Sequence, residues 1–384
     1  MADKKHILIL PRWYPNKTDI QLGTFIEEQA LLMKDDFHVH LIYVQALDDM
    51  NQQFKIQADS SKGIDERIVY FKSASGPFRK LINLRRYRKA QQMAYVLEPF
   101  EPVLCHVHVP YRPAMLALKL NKKGVPFVIT EHWSGHLTAA YDQKNSADKK
   151  LYKKVLKKAA GIATVSQLLQ AKFKENTGFD SIVIPNLIQQ ADTGLSANSE
   201  KIELLSVADL TDRVKNISGL IEAFYEAHQQ NKQLQLTIIG GGPDAAYLKK
   251  LIAEKNLNEE VVMRGRLSHD EVLSAYQNCD FYVCNSNFET FGMAVAEALA
   301  AGKPVISTRC GGPQEFLSEE NSIVIPTKDQ TALSIGILKM AEDYKNYDQK
   351  AISRQIMDRF GANTVRKKLS EFYTGVKQDS SKNH

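Results

Sequence analysis

Short apolar segments alternate with helical patterns along almost the whole chain, and this alternation limits the fold more than any other feature of the sequence. In the first half, seven apolar segments are candidate strands, and most are separated by stretches long enough for crossover helices, such as residues 24–33 and 113–120. The strand candidates are residues 6–10, 39–44, 67–71, 103–108, 127–130, 161–165 and 181–184. This pattern is typical of an α/β domain with a doubly wound, mainly parallel sheet.

The same alternation resumes after a polar segment at residues 189–200, which has at most two apolar side chains larger than a methyl group. Because such a segment buries little surface, we predict that it is a linker. The later strand candidates are residues 203–207, 236–239, 261–264, 281–284, 305–307 and 323–325. The sequence therefore predicts an N-terminal domain at residues 1–188 and a C-terminal domain at residues 201–358. A helix at residues 363–376 is expected to carry residues 359–384 back to the first domain.

This architecture indicates where ligands bind. In open α/β sheets, ligands lie outside the carboxyl ends of the strands. Two doubly wound, Rossmann-like domains joined by one linker are expected to face a cleft. Functional residues are therefore expected at strand ends that face this cleft.

The composition is ordinary for a globular protein. The apolar fraction of 43% and the charged fraction of 24% exclude disordered, collagen-like and coiled-coil chains. No apolar run approaches the roughly 20 residues that cross a bilayer, and no stretch resembles a signal peptide. The four cysteines are scattered without a C-x-x-C pair, which predicts reduced thiols. We therefore expect a cytoplasmic protein.

The net charge of +6 is concentrated in the first half, where residues 1–200 hold 28 Lys and Arg against 20 Asp and Glu. Two basic stretches carry this excess, residues 78–93 and 144–158, and both are predicted to be amphipathic helices. Such helices suit an anionic membrane surface or an acidic acceptor, so the protein could be peripheral on the cytoplasmic face of a membrane. The alternative is a solvated helix face. No nucleic-acid recognition motif accompanies the basic residues, so we expect no nucleic-acid partner.

The most informative segment covers residues 285–304, where a polar turn follows an apolar strand and precedes a helix that is apolar almost all round. Such a helix is buried. Glu297 is its only charged residue, and a buried carboxylate requires a partner, for which a ligand diol would serve. Glu289 lies just before the helix, where free N–H groups favour an anion. The alternative is that Glu289 caps the helix and Glu297 pairs with a structural Arg or Lys.

Residues 289–297 (ETFGMAVAE), continued by ALAAGKPV, strongly resemble the E-x7-E signature of the retaining glycosyltransferases of family four, which have the GT-B fold. Further matches in the family's order are residues 13–15 (WYP), Gly23, 130–132 (TEH), 184–186 (IPN), 239–243 (IGGGP), 265–267 (GRL) and 311–315 (GGPQE). The resemblance implies that Glu297 binds the ribose of a nucleotide-sugar donor, while Glu289 and His132 contact the transferred sugar. It also implies that the first domain holds the acceptor and the second the nucleotide sugar.

A nucleotide diphosphate that leaves the sugar develops negative charge, which cations or oriented N–H groups must stabilise. The sequence has no Asp-x-Asp motif, so we expect a metal-independent site. The candidates are Lys215, expected at the start of a helix that runs through residues 220–224, and Arg213 nearby. The start of the helix after Phe291, with Gly292 and Met293, completes this set.

One position departs from the family pattern. The first strand of this domain usually ends in Gly-Arg-Leu in the resembled family, and both this Arg and a Lys six residues later hold the diphosphate. Here Asp209 stands at the Arg position, although Lys215 matches the Lys. An inward-pointing Asp209 would repel a diphosphate. Either Arg213 supplies the missing cation, or Lys215 and the N–H groups suffice with weaker catalysis.

The glycine run at residues 240–242 follows a strand and precedes a helix, and it fits the loose dinucleotide pattern G-x-G-x-x-A. A dehydrogenase would carry an acid at the end of the next strand, but Arg264 stands there, which argues against that enzyme class. Gly241, Gly242 and Arg264 therefore join the candidate donor-binding residues.

In the first domain, Gly23 precedes a helix and would allow a phosphate or an acceptor to approach the backbone. Its alternative is an ordinary flexible loop. His132 follows a strand and is expected to point into the cleft. His106, His108, His132 and His136 suggest a metal site by their spacing, but buried histidines on strands are commonly hydrogen-bonded core residues, and we expect no metal.

The sequence thus predicts a retaining hexosyltransferase that uses a UDP- or GDP-linked sugar, with no permanently bound cofactor. The expected acceptor is a lipid-linked, glycan or polysaccharide precursor. Two alternatives remain at this stage. A nucleotide-sugar epimerase would use the same fold, and an inactive sugar-binding subunit is suggested only by Asp209.

Overall fold

A computed structural model describes residues 4–190 and 200–379 and divides the chain into two compact units. The first unit ends at Leu187 and also includes the chain from Val365 onward. The second unit runs from Ile188 to Thr364. The predicted linker at residues 189–200 lies largely outside the described residues.

The first unit contains an eight-stranded sheet in the order β3-β4-β2-β1-β5-β6-β7-β8. Its strands are β1 (Lys5–Pro11), β2 (Phe37–Leu47), β3 (Phe54–Asp59), β4 (Asp65–Lys72), β5 (Leu104–His108), β6 (Phe127–Glu131), β7 (Gly161–Thr164) and β8 (Ile182–Val183). All neighbouring strands are parallel except β3, which is antiparallel to β4. The predicted mainly parallel sheet is therefore confirmed.

Strand β3 was not predicted from the sequence. It lies at the sheet edge and places Ile56 opposite Val69 of β4. Only Phe54 and Ile56 are large apolar side chains in this strand, and both are half-buried. The continuous apolar run that marks a central parallel strand is therefore absent.

Helices cover both faces of the first sheet. They are α1 (Thr24–Leu32), α2 (Arg79–Leu97), α3 (Ala114–Asn121), α4 (Ser146–Leu156) and α5 (Gln167–Thr177). Leu8 and Leu10 of β1 pack on the side of α2 and α3, whereas Ile7 and Ile9 pack on the side of α1. This alternation follows from the opposite directions of successive side chains in a strand.

The second unit contains a six-stranded, fully parallel sheet in the order β11-β10-β9-β12-β13-β14. Its strands are β9 (Ile202–Val207), β10 (Leu234–Ile239), β11 (Val261–Gly265), β12 (Phe281–Cys284), β13 (Val305–Thr308) and β14 (Ser322–Ile325). The chain moves outward from β9 to β11 and then returns to β12 on the other side of β9. The point where the strand order reverses, between β9 and β12, is where open α/β sheets bind ligands.

The helices of the second unit correct one prediction. They are α6 (Asp212–Lys215), α7 (Ile217–Gln230), α8 (Ala245–Glu254), α9 (His269–Asn278), α10 (Met293–Ala300), α11 (Gln330–Asp343) and α12 (Gln349–Phe360). Lys215 was expected at the start of the helix that contains Phe224. It instead ends the single turn α6, because Asn216 adopts a left-handed conformation with φ of 48° that separates α6 from α7.

The last helix, α13 (Ala362–Asp379), packs on the first sheet. Val365, Leu369 and Tyr373 are buried there beside α1. Arg366 binds Asp36 through two hydrogen bonds of 2.8 Å. The first unit is thus built from two separate parts of the chain.

Two further expectations concern the whole described chain. All four cysteines are free and buried, and their reduced state stays a prediction. Within residues 4–190 and 200–379, no helix combines the length and apolar character that a membrane crossing requires.

Candidate functional site

Two loops meet at the carboxyl ends of β9 and β12, where the strand order of the second unit reverses. The loop after β9 carries Lys215, and the loop after β12 carries Glu289. The Lys215 Nζ atom lies 2.5 Å from Glu289 Oε1, and the two side chains are 22% and 16% exposed. The structure therefore brings together two of the residues predicted for the diphosphate and the sugar.

Glu289 is held by its main chain as well as by its carboxylate. Its N–H donates to the Cys310 carbonyl at 2.7 Å, and its carbonyl accepts from the Gly312 N–H at 3.0 Å. Ser286 Oγ donates to Glu289 Oε1 at 2.7 Å. The N-cap of α10 is Gly292, without any side-chain cap, so the alternative in which Glu289 caps this helix is wrong.

Lys215 is a stable cation in this setting. Burial by itself would lower the pKa of Lys215, but the charge of Glu289 and the hydrogen bond to it outweigh burial, so the pKa is raised. The ammonium group therefore stays protonated at neutral pH. It can meet the negative charge of a ligand without a change of protonation.

Glu297 lies in the middle of α10 and is half-buried. The Tyr276 hydroxyl donates a hydrogen bond of 3.1 Å to Glu297 Oε2. Burial raises the pKa of Glu297, whereas the nearby His269 and the Tyr276 hydroxyl oppose this shift. Tyr276 thus supplies an uncharged hydroxyl to Glu297, and a ligand diol could add further hydrogen bonds to the carboxylate.

Tyr282 of β12 lies within electrostatic range of both acids of the E-x7-E segment. Burial raises the pKa of Tyr282 well above its usual value, and the charges of Glu289 and Glu297 both contribute to the shift. Its hydroxyl donates to the Val207 carbonyl at the end of β9 at 3.1 Å. Both carboxylates therefore lie near the point where the strand order reverses.

Sequence reasoning did not identify Tyr276 and Tyr282. Both are among the largest fully buried side chains of the chain. A tyrosine in an apolar strand or helix is interpreted as a core residue, because the sequence does not show where its hydroxyl group points. No pattern in the sequence could have marked these two tyrosines as partners of the site.

The start of α10 matches the prediction only in part. Gly292 has φ of 89°, and a Cβ there would lie 2.5 Å from Pro313 Cγ, so the position requires glycine. Met293 is the first helical residue and is half-buried. The Phe291 side chain packs against Phe316 and Phe360, with ring centroids 5.6 and 5.1 Å away. The predicted contact of Phe291 with a donor is therefore restricted to its backbone.

The glycine run lies against the loop after β9. A Cβ on Gly242 would lie 2.5 Å from the Leu210 carbonyl oxygen, and a Cβ on Gly241 would lie 3.0 Å from Arg266 Cγ and Nε. The predicted cations Arg213 and Arg264 both have exposed side chains. The Arg213 carbonyl accepts a hydrogen bond of 2.9 Å from Asn287 Nδ2, which connects the loops after β9 and β12.

Asp209 forms an ion pair that sequence reasoning missed. The Asp209 Oδ1 atom accepts a hydrogen bond of 3.1 Å from Arg266 Nη2. Arg266 follows β11, two strands away from β9 in the sheet. The sequence contained the GRL motif that includes Arg266, but only the strand order brings this guanidinium to Asp209.

In the first unit, Gly23 and His132 lie at the start of α1. Gly23 is the N-cap with φ of 72°, and a Cβ there would lie 2.5 Å from the Trp13 carbonyl oxygen, so the position requires glycine, whereas its contact with a phosphate or an acceptor stays a prediction. Phe25 packs on the His132 ring at 4.9 Å. His132 Nε2 is hydrogen-bonded to His108 Nδ1 at 3.0 Å.

His132 is a neutral imidazole with one unused nitrogen. Burial lowers the pKa of His132 to about 4, and the charge of Glu131 opposes this shift only weakly. His132 is 6% exposed, and its Nδ1 atom has no hydrogen-bond partner among residues 4–190 and 200–379. A buried polar atom of this kind suits a hydrogen bond from a ligand hydroxyl.

The other histidines have structural partners. His106 bonds to the Tyr373 hydroxyl at 2.7 Å and to Thr130 Oγ1 at 2.8 Å. His136 Nε2 bonds to the Tyr152 hydroxyl at 3.1 Å. Among the residues that the structure describes, no group of three His, Cys, Asp or Glu side chains could hold a metal ion.

Comparisons with known proteins identify the family of this chain. A profile described as Glycosyltransferase Family 4 matches residues 26–191, and one described as Glycosyl transferases group 1 matches residues 189–356. The chain belongs to glycosyltransferase family four. An uncharacterised glycosyltransferase of Methanocaldococcus jannaschii is 29% identical over 240 residues, which cover 62% of this chain and 65% of that protein. A second from the same organism is 27% identical over 173 residues, 44% of each protein.

One more relative and two solved structures extend the comparison. A putative teichuronic acid biosynthesis glycosyltransferase of Bacillus subtilis is 24% identical over 76% of this chain and 74% of its own length. The structure of a sucrose-phosphate synthase from Thermosynechococcus elongatus has a TM-score of 0.76 at 18% identity and covers 98% of this family-four chain and 100% of that one. Anabaena HepE, solved with UDP and glucose, has a TM-score of 0.72 at 17% identity, with coverage of 97% and 99%. These solved structures support the GT-B fold.

Proposed function

We propose that this family-four protein transfers a hexosyl group, with retention, from a UDP- or GDP-linked sugar to a glycan or lipid-linked acceptor, without a metal. The observation that carries the proposal is the Lys215–Glu289 ion pair at the strand-order reversal, with Glu297 in the helix that follows the same loop. This arrangement offers one cation and two carboxylates where an open α/β sheet binds its ligand.

The proposed roles follow from the chemistry of each group. The Glu297 carboxylate accepts hydrogen bonds from the ribose hydroxyls, and Glu289 accepts them from the sugar. Lys215 and the free N–H groups at the start of α10 stabilise the charge that develops on the departing diphosphate. The sequence lacks an Asp-x-Asp motif, which supports the proposed metal independence.

The proposed acceptor and location rest on one relative and on one helix of the first unit. The relative named for teichuronic acid biosynthesis supports a polysaccharide precursor as the acceptor. Helix α2 carries the basic stretch of residues 78–93 and exposes Phe78 and Leu81, which supports contact with an anionic membrane surface.

The primary test measures donor binding and slow donor hydrolysis with labelled UDP- and GDP-sugars. Glu297→Ala removes the proposed ribose acceptor, so donor affinity should fall by about 10- to 100-fold, as expected for lost hydrogen bonds to a charged group. Glu254→Ala changes an exposed acid of α8 in the same unit and should bind donor normally. Unchanged donor affinity in Glu297→Ala would contradict the assigned role.

The same assay separates the alternatives. Conversion of the donor sugar into its epimer without an acceptor would indicate an epimerase. Donor binding without hydrolysis or transfer would indicate an inactive binding subunit. Full activity after treatment with EDTA supports metal independence, and NMR of the anomeric centre in the product tests retention.

A further inference from the structure

The ion pair between Asp209 and Arg266 occupies the position where the chain departs from the family pattern. The carboxylate stands at the end of β9, and the guanidinium comes from the end of β11. We propose that Arg266 is a donor-binding residue that contacts the diphosphate, and that Asp209 holds Arg266 until the diphosphate replaces the carboxylate. This inference rests on the proposed function of the second unit.

The loop that carries Asp209 is fixed in place by the glycine run. The Ala208 N–H donates to the Ile239 carbonyl at 3.0 Å, and the Leu210 N–H donates to the Gly241 carbonyl at 3.1 Å. Gly240 has φ of 143°, and a Cβ there would lie only 1.8 Å from the Ala208 carbonyl oxygen. Asp209 therefore has a well-defined backbone position.

Arg266 reaches this loop along the surface of the glycine run. A Cβ on Gly241 would lie 3.0 Å from the Arg266 Cγ and Nε atoms. A larger residue at position 241 would therefore shift the Arg266 side chain. Its Nη2 atom also lies 3.5 Å from the Gly241 carbonyl oxygen. The absence of a side chain at Gly241 thus allows the guanidinium to reach the end of β9.

The ion pair can exchange its anion easily. Arg266 is 37% exposed and Asp209 is 69% exposed, so water screens their attraction. Exposed ion pairs contribute little to the stability of a fold. A guanidinium can bind two phosphate oxygens at once, and a diphosphate carries more charge than a carboxylate, so the diphosphate is the stronger partner.

The charge of Asp209 also acts on Lys215, the second cation of the site. This charge is among those that favour the protonated form of Lys215. The carboxylate therefore stands within the electrostatic range of both Lys215 and Arg266. A diphosphate that displaces the Asp209 carboxylate would meet Lys215 and Arg266, which come from different loops. Arg266 would then serve in place of the cation that the family pattern has at position 209.

The test compares nucleoside diphosphates with the corresponding nucleosides by calorimetry at low salt. UDP and uridine are used in parallel with GDP and guanosine. Arg266→Gln should weaken binding of the diphosphate by about tenfold or more, as expected for a charge-assisted hydrogen bond, and leave nucleoside binding unchanged. Arg354→Gln, which alters an exposed arginine of α12, is the matched control and should leave both affinities unchanged.

A second variant tests the exchange of partners. Asp209→Asn keeps the shape of the side chain but removes the competing charge, so the diphosphate should bind about threefold more tightly, about 0.7 kcal/mol. This gain should vanish in the double variant with Arg266→Gln, because the two residues act on each other.

Several results would overturn this inference. Equal diphosphate affinity in Arg266→Gln and the wild type would show that Arg266 does not contact the phosphates. An equal loss for the nucleoside would place Arg266 at the base or ribose, and weaker diphosphate binding by Asp209→Asn would exclude the exchange. In these cases the wild type still binds the diphosphate and the proposed function stands. If the wild type binds neither UDP nor GDP, the proposed function fails as well.

Discussion

At the scale of residues, the first unit contains a cluster of buried, neutral histidines. Burial lowers the pKa of His106 to about 3 and that of His132 to about 4, and it lowers the pKa of His108 well below the usual range. These rings stay uncharged at neutral pH. The Nε2–H of a neutral His132 can donate to His108, which leaves Nδ1 as an acceptor for a ligand hydroxyl.

This cluster makes the stability of the first unit depend on pH. Histidines in an unfolded chain have a pKa of about 6.5, so below that value the unfolded state binds more protons than the folded state. The free energy of unfolding is therefore expected to fall as the pH drops from about 6.5 toward the pKa values of about 4 and 3 in the folded protein.

His106→Gln removes one of these groups and should flatten the pH dependence by up to about 1.4 kcal/mol per pH unit near pH 5. Urea unfolding followed by tryptophan fluorescence suits the measurement, because both tryptophans, Trp13 and Trp133, lie in the first unit. Gln53→Ala changes an exposed residue of the same unit without a titratable group, serves as the control and should retain the wild-type slope. An identical slope in His106→Gln would refute the assignment.

At the scale of elements, the second unit depends on the close contact between the glycine run and the loop after β9. At Gly240, a side chain would strain a backbone with φ of 143° and clash with the Ala208 carbonyl. This contact sets the distance between the ends of β9 and β10. The positions of Asp209 and Lys215 in the next residues depend on it.

Gly240→Ala should therefore destabilise the second unit by about 2 kcal/mol or more, because both backbone strain and a steric clash arise. Gly265→Ala is a matched control, since Gly265 also has a positive φ of 72° but has open space around its Cβ position. Its cost should be about 1 kcal/mol. Calorimetric melting of both variants measures the difference, and equal melting temperatures would show that the contact is unimportant.

Two features of the secondary structure could not be predicted from sequence patterns. The edge strand β3 and the break between α6 and α7 were both missed. The strand has only two large apolar side chains, and the break depends on the left-handed backbone of Asn216. Asparagine tolerates this conformation but does not require it, so the pattern alone cannot locate the end of the turn.

At the scale of the whole molecule, α2 presents an unusual surface. Phe78 and Leu81 are 70% and 48% exposed, and Arg79, Lys80 and Arg85 beside them are exposed as well. The prediction of a basic helix is confirmed, although its apolar residues are not confined to a buried face. Exposed apolar side chains among cations are suited to the interface of an anionic bilayer.

Phe78→Ser combined with Leu81→Ser should weaken co-sedimentation with vesicles of phosphatidylcholine and phosphatidylglycerol by about tenfold, because two buried apolar side chains are lost from the interface. Ile335→Ser, at an apolar side chain of α11 that is 61% exposed, is the control and should bind as the wild type does. Neutral phosphatidylcholine vesicles should bind weakly. Equal binding of the double variant and the wild type would show that α2 does not contact the membrane.

The sequence by itself determined the two α/β units, the parallel strand pattern and the acids Glu289 and Glu297. These features are local, since apolar runs, glycines and an isolated charge in an apolar helix can all be read along the chain. Tertiary structure alone decided the partners of these acids. Lys215 pairs with Glu289 and Tyr276 bonds to Glu297, although each partner comes from a different part of the chain. Arg266 likewise reaches Asp209 only because of the strand order, which depends on packing between residues far apart in the sequence.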